Sequence, residues 1–397
     1  MTYLTATKGF VTYNIELKPI TPIHVWSGVD AKLRYDAFID GNYLYVVKPE
    51  YLEDLPREDL IQVIKEFEKK PEDVAIKVFE LLKKKRHIKP VAEVKGAAMH
   101  KPGTIIKLIH ENLVPGSTLK GYIRTSIMRY FLLDLQKNRS ELVKIIKSGV
   151  NTSKGPKKMG EGLEASLFRR PRTREQGGFL DVLELVKVSD PEVQERKLSL
   201  RELRVVHVDD PNAVIARIPA ITLDPVNRPL RFKITFDARQ IPFENVDFKQ
   251  LKEEISTTLK DLIKLRNDFA KRFERKEELL RALQQHGCYL IEAELSKLSR
   301  SPKASKALID YVNLLEEVKK KLCEKNVNCV PARIGFMTGH EAKTVLDIIK
   351  ENEPLLYGKI VDVMQKLVKR EWDAKTLKLV EVDGKLFGVG WCELCVE

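Results

Sequence analysis

Cysteine is scarce in this chain, with five residues in 397. That is too few for the disulfide framework of a small secreted domain. The one close pair is Cys392 and Cys395, in WCELC. A structural zinc site needs a second pair, or His partners, at ligand spacing. Cys323 and Cys329 are poorly spaced for that. On a strand, two residues three apart leave opposite faces. The expectation is therefore ordinary, partly buried thiols, with no metal and no cofactor.

Long apolar runs are also missing. No stretch reaches the roughly 18 apolar residues of a membrane helix. The N-terminal MTYLTATKGFVTYNIEL has no apolar signal core and no cleavage site. A cytoplasmic protein with no membrane partner is expected. The acidic motifs of metal nucleases and cyclases are absent too. There is no His-Asp pair, Asp-x-Asp cluster or Gly-Gly-Asp-Asp, so metal-dependent cleavage is not expected.

What the chain does have is length and charge. At 397 residues, two domains are the better prior. Hydrophobic residues make up 43%, enough for a real core. Charged residues make up 32% with both signs mixed, which suits a folded protein with a charged surface. Lys and Glu enrichment also suits a thermophile. The net charge of +13 favours a polyanionic partner, nucleic acid ahead of membrane. Much of the excess is local: Lys120 to Glu175 holds 14 Lys or Arg against 5 Asp or Glu.

Periodicity supplies the elements. Residues 10–20 alternate as a first strand, and Asp40-Gly41 sits between apolar runs as a hairpin turn. Residues 51–85 have helical spacing, and TIIKLIH at 104–110 reads as a strand. A helix should run from the Pro115-Gly116-Ser117 turn to about residue 147. Gly, Ser, Lys and Pro make 148–162 a flexible loop. Several strands follow, of which 228–237 alternates most cleanly. Helices are expected over 245–286 and 304–324, with a short one at 341–350. Asp383-Gly384 marks a second hairpin. Few helices and antiparallel hairpins in each half give an α+β class, not a doubly wound sheet. Both halves suit a β-α-β-β-α-β ferredoxin-like core carrying helical insertions. The division is 1–175 and 176–397, with the largest insertion at about 243–325.

Five stretches then carry a resemblance. PGSTLKGYIR at 115–124 is similar to the "IPGSSLKGAIR" motif of RAMP proteins, the repeat-associated proteins of CRISPR effector complexes. LKPITPIHVWSG at 17–28 resembles the first strand and loop of one branch. DAFIDGNYLYVVKPEYL resembles the hairpin after it. ARIGFMTGHEAKTV at 332–345 and AKTLKLVEVDGKLFGVGWCEL near the end resemble two further segments. The order is kept, and the branch is the subunit-five family of type III-A (Csm) complexes. Phe336 and Met337 stand where that family has Trp and Gly, and Ala374 where it has proline.

The resemblance implies two RRM-like RAMP domains and a subunit that binds guide RNA (crRNA) at the 3′ end of the complex. It implies neighbouring RAMP backbone subunits and recruited host ribonucleases as partners, with target RNA met only indirectly. It also implies a role in crRNA maturation without a catalytic site. The aromatic RRM motif is missing, so base stacking on a sheet is not expected.

Chemistry fits that reading. A helix N-terminus offers unpaired N–H groups to a phosphate. Gly116 allows an unusual turn and close approach. Ser117 or Thr118 can cap the helix. Lys120 and Arg124, four apart, share a face toward neighbouring phosphates, and Gly121 allows close approach. The alternative is a plain helix cap with cations lying along it. Lys154, Lys157 and Lys158 in the loop, with Arg169, Arg170, Arg172 and Arg174 beyond it, would add salt-dependent phosphate contacts. Trp26 fits a base-stacking platform or a core or interface aromatic equally. His24 invites an acid–base reading, as in metal-independent guide-processing ribonucleases, but an isolated His is more often structural. A generic basic scaffold is the remaining alternative.

Overall fold

The computed structural model describes residues 9–53, 55–65, 71–96, 101–152, 159–171, 179–192, 196–225, 228–237, 253–324, 328–368 and 376–397. The first strands are β1 (Phe10–Pro19), β2 (Trp26–Lys32), β3 (Ala37–Asp40) and β4 (Tyr43–Val46). Helices α1 (Glu50–Glu53), α2 (Arg57–Lys65) and α3 (Pro71–Lys84) precede β5 (Ala92–Val94) and β6 (Ile105–Ile109). Then come α4 (Gly116–Leu135), α5 (Arg139–Thr152) and α6 (Met159–Phe168). Strands β7 (Arg169–Pro171), β8 (Phe179–Asp181), β9 (Val186–Val188), β10 (Leu198–His207), β11 (Asp210–Leu223) and β12 (Leu230–Asp237) follow. A helical block holds α7 (Glu253–Phe273), α8 (Lys276–Ser299), α9 (Pro302–Ala307) and α10 (Ile309–Leu322). The rest is β13 (Cys329–Arg333), α11 (Leu346–Asn352), α12 (Pro354–Val368), β14 (Thr376–Val382), β15 (Lys385–Gly388) and β16 (Trp391–Val396).

The first sheet has the order β13-β16-β1-β12-β9, every pair antiparallel. Helix α4 falls in sequence between β1 and β9, and α7–α8 between β12 and β16. Helices α4 and α8 thus lie on connections between strands of one antiparallel sheet, an α+β arrangement. Alternation puts Ile15, Leu17, Phe232, Ile234, Leu394 and Val396 into the main core, with Ile123 and Ile127 of α4 and Leu283 and Ile291 of α8. The second sheet has nine strands around the long β10–β11 hairpin, with β14–β15 branching from β10.

Each sheet takes strands from both sides of residue 175, so the two halves of the chain are interleaved in space. β1 is the reason. Its apolar face can be completed only by β12 and β16, which lie more than two hundred residues on. The helices expected as an insertion at 243–325 include α8, a core layer of the first sheet.

Other expectations change as well. The helix expected to reach residue 147 breaks after Leu135, and Asn138 caps a new one: its Oδ1 accepts the Glu141 N–H at 3.4 Å. Residues 148–152 and 159–162, expected as loop, are helical ends. Helix α12 was not expected at all; Pro354 at its first position and Gly358 inside it hide its period.

The thiol expectation is overturned. Cys288 of α8 is bonded to Cys323, and Cys329 to Cys395. The second pair is set by register, since Cys329 lies opposite Cys395. Cys392 is a free, buried thiol on the other face of β16. Thiol titration of the denatured, unreduced protein should therefore find one reactive group per chain, and five after reduction.

Helix α8 reaches the first sheet through Gly287. A Cβ there would lie 1.8 Å from the Pro331 carbonyl oxygen. Backbone cannot yield as a side chain can, so Gly287→Ala should lower stability by about 3 kcal/mol or more. Urea unfolding would measure it; an unchanged midpoint would contradict this packing.

Candidate nucleic-acid interface

Helix α4 starts differently from its expected form. Its N-cap is Pro115, and neither Ser117 nor Thr118 makes a capping hydrogen bond. The Gly116 N–H donates instead to Asp190 Oδ1 at 2.7 Å. A carboxylate thus already meets the positive end of the helix. Gly116 is not in the positive-φ region. A Cβ on it would lie 2.3 Å from the Ser189 carbonyl oxygen. Gly116 therefore serves an internal approach of main chain to main chain, not an unusual turn open to RNA.

One turn later the situation reverses. Gly121 is exposed, and a Cβ on it would meet nothing within 4 Å. Ser117, Thr118, Gly121 and Thr125 share one face of α4 and form a wall of a cleft of ≈ 480 Å³. The opposite wall is the loop after β13, with Gly335, Phe336 and Thr338. Trp26 and Lys343 also line the cleft. Segments near residues 26, 120 and 336 therefore meet in one place.

The loop owes its shape to glycine. Gly335 has φ +108°, and a Cβ would lie 2.5 Å from the His24 carbonyl oxygen. That same oxygen accepts the Phe336 N–H at 2.7 Å. Met337 next to it also has positive φ, at +60°. Thr338 Oγ1 closes the turn on the Gly335 carbonyl at 3.1 Å.

His24 is fully buried, which corrects its reading as an RNA contact or an acid–base group. Its Nδ1 lies 2.7 Å from the Ile221 carbonyl oxygen and so carries the proton. Its ring packs edge-on against Phe336 at 5.6 Å. Burial first, and then the Lys107 charge, lower its pKa to about 4. Trp26 is 41% exposed. Its indole N–H donates to Asp30 Oδ1 at 3.0 Å, and Lys107 Nζ stands 4.4 Å from the ring centroid. Trp26 is therefore not a core aromatic.

The expected cations divide. Arg124 is ion-paired to Glu164 of α6, so its guanidinium is engaged within the fold. Lys120 is half-buried on α4. Arg169 and Arg170 lie on β7, opposite Asp181 and Leu180 of β8. Lys154, Lys157, Lys158, Arg172 and Arg174 lie outside the described residues. Thr125, Thr338, Lys343 and Lys107 were missed. Thr125 had a readable signal, since it continues the Gly121 face by one turn. Lys107 had none, because only β2–β6 pairing brings it to Trp26.

Arg333 forms part of the cleft floor from the last position of β13. It lies 3.1 Å from Glu294 of α8 and donates from Nε to the Val389 carbonyl at 3.1 Å. Burial alone would raise the Glu294 carboxyl, but Arg333 and then Lys297 hold it below its ordinary value. For a metal, the grouping among described residues is Cys329, Glu393 and Cys395, whose two sulfurs are already joined.

No protein-family model matches the chain, and no curated protein matches it. A solved structure does. It is a chain of a cryo-EM Csm–crRNA–target RNA ternary complex of a type III-A CRISPR-Cas system. Identity is 20% and the TM-score 0.61, over 98% of this chain and 100% of that one. This chain has the fold of a Csm-complex protein. No described helix is long and apolar enough to cross a membrane.

His24 yields a pH prediction. Its pKa is 6.5 when unfolded and about 4 when folded. The unfolded chain takes the proton first as pH falls, so stability is lost between pH 6.5 and about 4. His286, lowered to about 3 by burial and Arg129, adds to the same trend. His24→Asn should flatten the curve in that window by about 3 kcal/mol. Urea midpoints across pH 4–7 would measure it; a curve as steep as wild type would refute it.

Proposed function

We propose that this chain is a non-catalytic, crRNA-binding assembly subunit of a type III-A CRISPR (Csm) interference complex. In this reading it is a RAMP protein that caps the 3′ end of the guide and supports its maturation. Its partners are the crRNA and neighbouring Csm subunits, with host ribonucleases recruited to trim the guide. The observation that carries the reading is the convergence of three RAMP-like segments, 17–28, 115–124 and 332–345, on one open cleft. The likeness in fold to a Csm-complex chain supports it. So does the net charge of +13.

Gly121 is the sharpest support. Glycine inside an exposed helix is about 1 kcal/mol worse than alanine. Nothing in the fold needs the missing Cβ there. A phosphate or ribose lying against the bare α4 backbone would need it. Ser117 and Thr118 would donate hydroxyls to the RNA backbone, Lys343 would neutralise charge, and Trp26 would stack on an unpaired base.

The second reading is a metal-independent endoribonuclease. Against it, His24 is buried and held neutral. His110 is half-buried, and its Nδ1 accepts from the Asn112 N–H at 3.1 Å. His100 lies outside the described residues.

The experiment compares wild type and Gly121→Ala on repeat-derived RNA in EDTA. The variant should be more stable to urea by about 0.5–1 kcal/mol, yet bind RNA about tenfold more weakly, and the RNA should stay intact. Equal binding would remove the cleft from the RNA path. Cleavage in EDTA would replace the assembly reading with the ribonuclease.

A further inference from the structure

The first sheet has a second face, which is exposed along β1, β12 and β9. Thr12, Asn14 and Lys18 of β1, Arg231 and Lys233 of β12 and Lys187 of β9 are all exposed there or on its edge. Register sets Arg231 opposite Glu16 and Lys233 opposite Asn14. The acids of this face are already engaged. Glu16 lies 2.8 Å from Arg231, and Glu393 lies 2.9 Å from Lys321. The balance at the β12–β9 side is cationic.

At the start of β12 the face ends in a small cavity lined by Glu192, Arg196, Arg228, Pro229 and Arg231, of ≈ 160 Å³. Arg196 is held there by main chain, not by an acid. Its Nη1 donates to the Arg228 carbonyl at 3.0 Å and its Nη2 to the Pro229 carbonyl at 3.2 Å. Its Nε is buried and has no hydrogen-bond partner. Among the described residues no carboxylate forms an ion pair with Arg196 or Arg228. Burial, and then the charge of the exposed Arg228, lower the pKa of the half-buried Arg196.

Such an arrangement is unfavourable for the empty protein and favourable for an anion with several acceptor oxygens. Arginine forks match phosphate oxygens two at a time. A cavity of this size admits one phosphate and no base. The exposed aromatic of this face, Phe10, pairs with Asp237 at the opposite end of β12 from Arg231, so no stacking platform adjoins the cavity. We propose that Arg196, Arg228 and Arg231 form a phosphate-binding cradle that takes an RNA phosphate at a second site, separate from the α4 cleft. This proposal extends the RNA-binding reading, and its test keeps the two apart.

The full-length protein and Arg228→Gln/Arg231→Gln are titrated with single-stranded RNA over a salt series, with Lys359→Gln as a surface control. Removing one cation that neutralises a phosphate should flatten the slope of log K against log salt by about 0.7. The cradle holds one phosphate, so the double variant should be shallower by about 0.7, while Lys359→Gln keeps the wild-type slope. A wild-type slope in the double variant overturns the cradle. RNAs with and without a terminal phosphate separate the sources: equal binding assigns a backbone phosphodiester, and weaker binding after dephosphorylation assigns the end group. If wild type binds no RNA, the proposed function falls on its own, and inorganic phosphate decides the cradle. A rise in Tm beyond that from chloride of equal ionic strength, absent in Arg196→Gln and in the double variant, supports it. An equal rise in all three overturns it.

Discussion

A buried guanidinium and a buried carboxylate hold the working part of this fold together. Arg333 and Glu294 are 6% and 4% exposed and 3.1 Å apart. Taking both charges out of water is unfavourable, and only close pairing with further hydrogen bonds offsets it. Those bonds are present. Tyr311 donates to Glu294 at 3.0 Å, and Trp391 donates to the Tyr311 oxygen at 2.8 Å. Arg333 also reaches the Val389 carbonyl and lies 5.1 Å from the Trp391 ring centroid. One network thus joins β13, α8, α10 and β16. The residues that follow Arg333 are the Gly335–Thr338 loop, so the cleft inherits its shape from a part of the core that cannot relax cheaply. A wall fixed in advance loses little entropy when a ligand arrives.

Cations in this chain have two employments, and sequence counting mixes them. Arg129 looks like the next phosphate ligand along α4. Instead it pairs with Asp347 at 2.6 Å and lies 3.6 Å from the Tyr289 ring centroid. Arg124 goes to Glu164, Arg201 to Asp224 at 3.0 Å, and Arg266 to Asp237 at 3.0 Å. Arginine suits these half-buried pairs because its fork satisfies a carboxylate in two places. Lys343 beside the cleft and Arg228 at the start of β12 are exposed cations with no such carboxylate partner among the described residues.

What was legible in the sequence follows the range of the interactions. The Asp40-Gly41 and Asp383-Gly384 hairpins form as read, since Gly41 (+56°), Asp383 (+50°) and Gly384 (+79°) take the positive φ such turns need. The alternation of 228–237 gives β12, because half-burial of one face is written residue by residue. The cysteine pairs were hidden, since each depends on packing or register set from far along the chain. The two glycines of PGSTLKGYIR show the limit most plainly. Letters alone make Gly116 and Gly121 equivalent; the neighbours of each Cβ make one a packing requirement and the other an opening.

The interleaving of the sheets bears on how the cleft is assembled. β1 lies in the middle of the first sheet, bonded on one side to residues 230–237 and on the other to 391–396. Neither partner is local, so the sheet cannot close until almost the whole chain has been gathered. Pairings of such separation are entropically demanding and slow to form. The cleft needs the same closure, because the His24 carbonyl shapes the Gly335 loop, and Gly390, just before β16, accepts the Ile334 N–H at 2.8 Å. The Cys329–Cys395 bond ties the two late strands, β13 and β16, to each other. It therefore reduces the freedom of the segment that must find β1, where local propensity contributes least.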